Sequence, residues 1–504
     1  MKYVLTNKEM QDIDRKTIDQ IGIPGLVLME RASEAVANVV KEYAKKESRI
    51  LIIAGTGNNG GDALAAARIL LEQKYRIDFT IVGNVEKASK DLKLQLSILE
   101  NLGFYPVDDV KYEKYDFLVE GIFGVGLSRE VGGIFKEVIQ QINQSGKKVI
   151  SIDIPSGISG DSGKVLGCAV NADVTVTFGG LKRGHLLYPG KDYCGITKLV
   201  SIGFHDQTIQ EYASAFTFAD ERNIMPPRAN DSNKGTYGKI LMITGNETMS
   251  GAAAFAGEAA LRMGAGLVKI LSDESNRGIL QTRLPECLFG TRNQLKESLE
   301  WCDCILFGPG IGVSEQTRDM LQYIMEHGKK PLIIDADGLN TISRYQMDVQ
   351  YEYGLILTPH LMEGARLLSK PLEEIKKDIC QAAEDIARKY HGTAVLKDAA
   401  TVVTEKSHLL YINQSGNHGM ATGGSGDVLA GMIAGLLGSG MSSYEAAIKG
   451  VYLHGLAGNA ARDEKGPYSM IASDILKHIK DVTGGEYESV LPGACSYRSG
   501  CNLQ

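Results

Sequence analysis

The chain alternates between short runs that are apolar throughout and longer stretches whose apolar residues recur at helical spacing. Ile50–Ala54 is a continuous apolar run between Arg49 and Gly55, the pattern of a strand buried on both faces. It predicts a helix over Asp62–Glu72, a strand over Ile77–Val82, a helix over Lys87–Leu102, and a strand over Phe117–Glu120. A helix over Phe135–Ile142 and strands over Val149–Ile154, Val174–Phe178 and Ile196–Ile202 continue the series. Upstream, Thr6 and Glu9 have the spacing of a capping box, opening a helix that carries Ile13, Ile18 and Ile21 to the turn Gly22–Gly25. A second helix covers Leu26–Tyr43. Strands that alternate with helices pair in parallel, so the predicted class is α/β with helices on both faces of a sheet.

The alternation lapses between Phe204 and Asn233, around Pro226-Pro227 and a run of Asn, Asp and Ser. It restarts at Lys239–Thr244 and continues through Leu267–Leu271, Cys304–Phe307, Leu332–Ile334, Leu355–Leu357, Ala394–Leu396 and Thr401–Val403. Long helices follow Gly426. We read two three-layer α/β/α domains, residues 1–212 and 213–504, consistent with a length of 504 residues.

Composition narrows the function. Hydrophobic residues at 43% and charged residues at 23% are globular values, and a net charge of −7 without a basic block argues against nucleic-acid or membrane-surface binding. No apolar run approaches the roughly 18 residues of a membrane span, and Met1–Thr6 has no secretory character. The eight cysteines, Cys302 and Cys304 among them, lack zinc-type spacing and read as reduced thiols of a cytoplasmic protein. The tail after Gly484, with Cys495 and Cys501, is assigned no role.

The chemistry sits in glycine-rich loops after strands. Gly55-Thr56-Gly57-Asn58-Asn59-Gly60-Gly61-Asp62 matches GxGxxG, but the next strand ends Ile81-Val82-Gly83-Asn84, without the acid that binds a ribose in dinucleotide dehydrogenases. Gly121–Leu127 and Asp153–Gly157 leave two further strand ends, where open α/β sheets bind ligands. In the second half, Thr422-Gly423-Gly424-Ser425-Gly426-Asp427 opens an apolar helix. Backbone N–H groups there converge on an anion, and an acid beside them suits removal of a proton from a hydroxyl that attacks a phosphoryl group.

The first half resembles the NAD(P)H-hydrate epimerase family, with a Rossmann-like fold. That resemblance implies dinucleotide contacts from Asn58, Asn59, Gly60, Gly61 and Asp62 and from Gly124, Val125, Gly126, Leu127, Ser128, Arg129 and Glu130. It implies K⁺ at Asn59, Glu120 and Ser156, Asp153 facing the reacting ring and Lys182 close by, and both of these are expected to be catalytic, with Asp153 as the acid or base. Glu120 replaces the family's usual aspartate, and Arg31 a common asparagine.

The second half, through Ser250–Ala253, Gly308–Gly312, Asp335–Asn340, Thr358–His360, Lys397–Thr401 and the glycine-rich helix start, resembles the ADP- or ATP-dependent NAD(P)H-hydrate dehydratases of the ribokinase-like superfamily. It implies nucleotide contacts from Lys397, Asp398, Ala399, Ala400, Thr401, Asn417, His418, Gly419, Met420, Ala421, Thr422, Gly423, Gly424, Ser425 and Gly426. Substrate contacts are implied for Ala252, Gly310 and His360, with Asp427 as base and Mg²⁺ near Asp335 and Glu363. Asp398, Leu361-Met362 and Asn233 depart from the family pattern.

The resemblances imply a bifunctional repair enzyme that takes NADHX, NADPHX and ADP or ATP as small-molecule partners. It would epimerise hydrated NAD(P)H, then phosphorylate the ring hydroxyl of the S form and eliminate phosphate. A homo-oligomer is expected. A vitamin or sugar kinase, and a dinucleotide sensor fused to an active second domain, are the rival readings.

Overall fold

The structure, a computed structural model, describes residues 1–219, 221 and 224–484. The described chain forms two compact units that do not follow sequence order. One comprises Met1–Ala219, Ile311–Gln414 and Ser442–Ile448; the other holds the described residues of 220–310, 415–441 and 449–484. The expected boundary at 212/213 falls within the first unit.

The first unit opens with strand β1 (Lys2–Leu5) and helix α1 (Asn7–Lys16). The Thr6 hydroxyl accepts from the Glu9 amide and the Glu9 carboxylate accepts from the Thr6 amide, as the spacing predicts. Helix α2 (Gly25–Tyr43), strand β2 (Arg49–Ala54), helix α3 (Asn58–Glu72) and strand β3 (Arg76–Ile81) follow. Strands β4 (Phe117–Gly121), β5 (Lys148–Ile152), β6 (Val174–Phe178), β7 (Leu181–Lys182), β8 (Ile196–Val200) and β9 (Ala215–Thr217) complete this stretch.

Six strands form one parallel sheet in the order β3-β2-β4-β5-β6-β8. Its strand ends at Ala54, Gly121 and Ile152 deliver the three predicted loops to one edge. Ile50, Ile52, Val119 and Ile150 pack with Ala63, Ala66 and Leu70 of α3 on one face. Leu51, Ile53 and Val149 pack with Ile139 and Ile142 on the other. Helix α3 starts at Asn58, ahead of the predicted Asp62, because Gly60 and Gly61 let its first turn sit against the backbone. A Cβ on Gly60 would lie 2.0 Å from the Gly55 carbonyl oxygen.

A second sheet in this unit contains β7, β1 and β9, where β1 pairs parallel with β7 and antiparallel with β9. Strand β9 pairs parallel with Leu410–Ile412, which joins the antiparallel run to Val402–Thr404 and Thr393–Leu396. Leu355–Leu357 and Leu332–Ile334 continue it in parallel. The sequence pattern missed β1, β7, β9 and Leu410–Ile412.

In the second unit Leu288–Thr291, Leu267–Ser272, Lys239–Ile243 and Cys304–Phe307 form a parallel sheet in that order. Two small-residue helices, Ser250–Arg262 and Ser425–Gly438, cross closely in this unit. A Cβ on Gly431 would lie 2.2 Å from the Ala256 carbonyl oxygen, so only glycine permits this spacing. Among the described residues, no helix is long and apolar enough to cross a membrane.

Candidate active sites

A cavity of about 620 Å³ lies at the strand-end edge of the first sheet, a volume suited to a small-molecule ligand. Asn58, Asn59, Asp62, Gly124, Val125, Gly126, Leu127, Ser128, Arg129, Asp153 and Lys182 line it. Gly60 and Gly61 are instead buried under the loop, and Glu130 lies outside the lining. Gly124 separates the Asn59 amide from Asp153 Oδ2; a Cβ there would meet both at 3.3 Å.

Asp153 takes a positive φ of 65°, a conformation that non-glycine residues adopt only when their surroundings fix it. The fixing groups are visible. Lys182 Nζ donates to Asp153 Oδ1 at 2.6 Å, to Thr177 Oγ1 at 2.8 Å and to the Phe178 carbonyl at 2.9 Å. The Thr177 hydroxyl donates to the same Oδ1 at 3.1 Å. His185 Nδ1 accepts from the Lys182 amide, so its Nε2 carries the proton and donates to the Asp153 carbonyl at 2.9 Å. Burial, reinforced by Lys182, pushes the His185 imidazole down to about 4, which keeps it neutral. Burial alone would raise the Asp153 carboxyl, but the Lys182 ammonium overrides it and holds the group below its usual range.

Glu120 is fully buried beneath this cavity, and its carboxylate is satisfied by the protein. Oε1 accepts from the Ser151 hydroxyl at 2.5 Å and the Ser156 amide at 3.0 Å. Oε2 accepts from the Ser156 hydroxyl at 2.5 Å and the Ile122 amide at 3.2 Å. The Asn59 amide donates to the Ile152 carbonyl.

Asp14, Thr177 and His185 escaped the sequence reading. Asp14 sits in Gln11-Asp12-Ile13-Asp14-Arg15-Lys16, which reads as a solvated helix face. His185 carries no local signal beyond its place three residues after Lys182.

The remaining expected residues fall into two groups. In the first unit Asp335 is buried, and its Oδ1 accepts from Thr358 Oγ1 at 2.7 Å and Lys397 Nζ at 2.8 Å. His360 caps the helix Leu361–Leu368, with its Nδ1 accepting from the Met362 and Glu363 amides. Its ring remains half exposed. Burial, opposed by Lys397, lifts the Glu363 carboxyl to about 7. Asp398 and Ala399 are exposed, Ala400 is buried, and the Thr401 hydroxyl donates to the Asp398 carbonyl.

In the second unit Gly310, at φ 63°, packs against Ala252, since a Cβ there would lie 2.8 Å from the alanine methyl. Gly424, at φ 91°, precedes the 14-residue helix Ser425–Gly438 and packs on Phe255 of the same helix that carries Ala252. The amides of Gly423, Gly424 and Gly426 donate to no protein acceptor among the described residues. Asp427 lies in the first turn. Asn417 caps the turn His418–Met420 and donates to the Gly458 carbonyl, ahead of Ala421 and Thr422. Ser425 Oγ lies 3.4 Å from Nε2 of His454, another residue with no sequence signal.

Free amides heading a helix, beside an acid, suit a phosphoryl group, and a loop-lined cavity over a parallel sheet suits a dinucleotide. The family model described as NAD(P)H-hydrate dehydratase matches residues 240–481, and that of the YjeF-related protein N-terminus matches residues 25–184. The Bifunctional NAD(P)H-hydrate repair enzyme Nnr of Thermofilum pendens is 34% identical, over 96% of this chain and 97% of its own. Its counterpart in Escherichia coli is 34% identical, over 94% of this chain and 92% of its own. The crystal structure of ADP/ATP-dependent NAD(P)H-hydrate dehydratase from Bacillus subtilis, co-crystallized with ATP/Mg²⁺, is similar over 51% of this chain and 93% of that chain. Its identity is 29% and its TM-score 0.47. The chain belongs to the family of bifunctional NAD(P)H-hydrate repair enzymes.

Proposed function

We propose that the chain repairs hydrated NADH and NADPH through two activities on one polypeptide. Residues 1–212 interconvert the R and S hydrates. Residues 213–504 return the S hydrate to the reduced dinucleotide at the expense of ADP or ATP. The observation that carries the reading is the set of three unengaged amides at Gly423, Gly424 and Gly426 with Asp427 in the first turn of the helix.

Asp427 takes the proton of the ring hydroxyl, and the oxygen attacks the terminal phosphoryl group. The glycine amides stabilise the charge that gathers on that group. Phosphate then leaves with the C–O electron pair while the neighbouring carbon loses a proton, which restores the double bond. Mg²⁺ binds chiefly through phosphate oxygens and needs one or two carboxylates besides. Within the first unit, Asp335 Oδ2, which accepts no hydrogen bond among the described residues, and Glu363 are carboxylates of the kind such an ion takes. When bound, the metal neutralises phosphate charge.

In the first domain, Asp153 faces the ring as a fixed anion, held by Lys182. K⁺ does not fit Asn59, Glu120 and Ser156 as they stand, because four N–H and O–H donors already fill the Glu120 carboxylate. No step is routed through that ion. Cys168, Cys194, Cys287, Cys304 and Cys380 are free thiols, which suits a reducing, cytoplasmic compartment, and assembly as a homo-oligomer is open to light scattering.

The deciding experiment follows recovery of reduced-nicotinamide absorbance from a mixed-epimer hydrate with Mg²⁺ and ADP, then ATP. Full recovery, faster than spontaneous epimer exchange, supports both activities. A stall after one epimer removes the epimerase, leaving a sensor. A stable phosphorylated product indicates a kinase.

A further inference from the structure

We propose that Asp14 is the carboxyl that exchanges a proton with the hydrate during epimerisation, a role distinct from the fixed anion at Asp153. The inference rests on the epimerase reading of the first domain. Met10, Gln11 and Asp14 bring one face of α1 to the cavity. No protein group hydrogen-bonds to the Asp14 carboxyl among the described residues, whereas Asp153 Oδ1 is taken by both Lys182 and Thr177.

The titratable and charged groups around Asp14 divide the work. Asp153, after β5, is kept ionised by Lys182 of β7, so it is a weak base and a poor acid. Asp62 of α3 is raised well above its ordinary range, by burial first and then by Asp153 and Asp14. Asp91 and Arg129 also line the cavity. Asp14 is open to water within the cavity but surrounded by protein. That confinement, with Lys182 opposing and Asp153 reinforcing it, lifts its carboxyl to about 6. Its carboxyl therefore changes charge near neutrality, where an acid–base catalyst works best.

The chemistry of the hydrate calls for such a group. A dihydronicotinamide double bond is an enamine, so water adds with its oxygen on the carbon next to the ring nitrogen. Reversal at that carbon needs no redox partner. The Asp14 carboxyl gives its proton to the hydroxyl, the C–O bond breaks with its electron pair on oxygen, and water departs. The nitrogen lone pair forms C=N⁺, and the Asp153 carboxylate offsets this positive charge. Water adds to the other face, and its proton returns to Asp14. The product is the second epimer, with atoms and charge balanced.

The test uses the full chain without nucleotide, so that dehydration is silent. Pure S hydrate is supplied across pH 5–9 and the R form is quantified by chromatography, with the enzyme-free rate subtracted. Wild-type kcat should fall as pH rises past about 6, the range in which Asp14 loses its proton. Asp14→Asn should lose about 100-fold or more of kcat, with KM little changed, and should lack the descending limb. Asp14→Glu should retain part of the activity with the limb displaced. An Asp14→Asn protein that epimerises at the wild-type rate, or keeps the limb, overturns the proposal. If circular dichroism shows that this variant does not fold, Asp14→Glu decides: an unmoved limb overturns the proposal and a displaced one supports it. A wild-type chain that does not epimerise overturns instead the reading on which the proposal rests.

Discussion

Replacing Gly424 with alanine tests how the anion-binding helix start is built. Two costs arise from one methyl group. At φ 91° a side chain is strained, by about 1–2 kcal/mol. The new Cβ would also lie 2.6 Å from Phe255 Cε2 and 2.8 Å from Cδ2, an overpacking that costs about 1–3 kcal/mol. Together these destabilise the second unit by about 2–5 kcal/mol, or about 4–20 °C in Tm for a unit of that size. Displacing the amides should also lower kcat/KM for ADP-dependent dehydration by about 100-fold. Differential scanning fluorimetry and absorbance recovery from S hydrate read the two effects. Adding Phe255→Leu removes the ring but leaves the backbone strain, so part of the Tm should return. A Gly424→Ala protein with wild-type melting and dehydration would refute the assigned conformation and the placement of Phe255 above it.

Asp427→Asn should cut dehydration by about 100-fold or more while calorimetry still detects ADP binding; wild-type turnover would remove Asp427 as base. Exchanging K⁺ for Na⁺ or choline should leave epimerisation unchanged, and a loss restored by K⁺ would show that the Glu120 carboxylate gives up its protein donors. His185 has a folded pKa of about 4 against an ordinary 6.5, so the unfolded chain binds the extra proton between these values. Its environment is therefore without penalty above pH 6.5, and stability falls by about 3 kcal/mol as pH drops to 4. The stability difference between the wild-type chain and His185→Gln should shrink over that window, and a difference independent of pH would refute a buried neutral imidazole. Lys182→Met should destabilise the first unit by about 3–5 kcal/mol, and Lys182→Met with Asp153→Asn should cost less than the sum of the singles.

The position of the glycine loops and of the first helix is legible because it is written in local patterns. The Thr6–Glu9 box formed as its spacing requires, and three glycine loops left parallel strands where the apolar runs ended. What stayed hidden depends on distant partners. Lys2–Leu5 is too short to show a period, and its strand identity comes from residues about 180 and 210 positions away. Asn-Asn-Gly-Gly at the head of α3 carries no apolar period, so the pattern places the helix start at Asp62 rather than at Asn58. Asp14 and Thr177 look like ordinary polar positions until α1 and β6 bring them beside Asp153. Glu120 was visible as a departure, but only the fold shows that Ser151 and Ser156 absorb its longer side chain.

The pairing of β9 between β1 and Leu410–Ile412 bears on how the protein is made. On leaving the ribosome, β1 has no partner until Leu181–Lys182 and Ala215–Thr217 emerge. After that, the outer edge of β9 waits roughly two hundred residues for its last neighbour, about 10–40 s at ordinary elongation rates. An unpaired edge of this kind recruits stray strands. Nascent chains stalled before residue 410 should therefore be the aggregation-prone species, and a bulky fusion placed directly on Met1 should lower the yield of soluble enzyme more than one placed elsewhere.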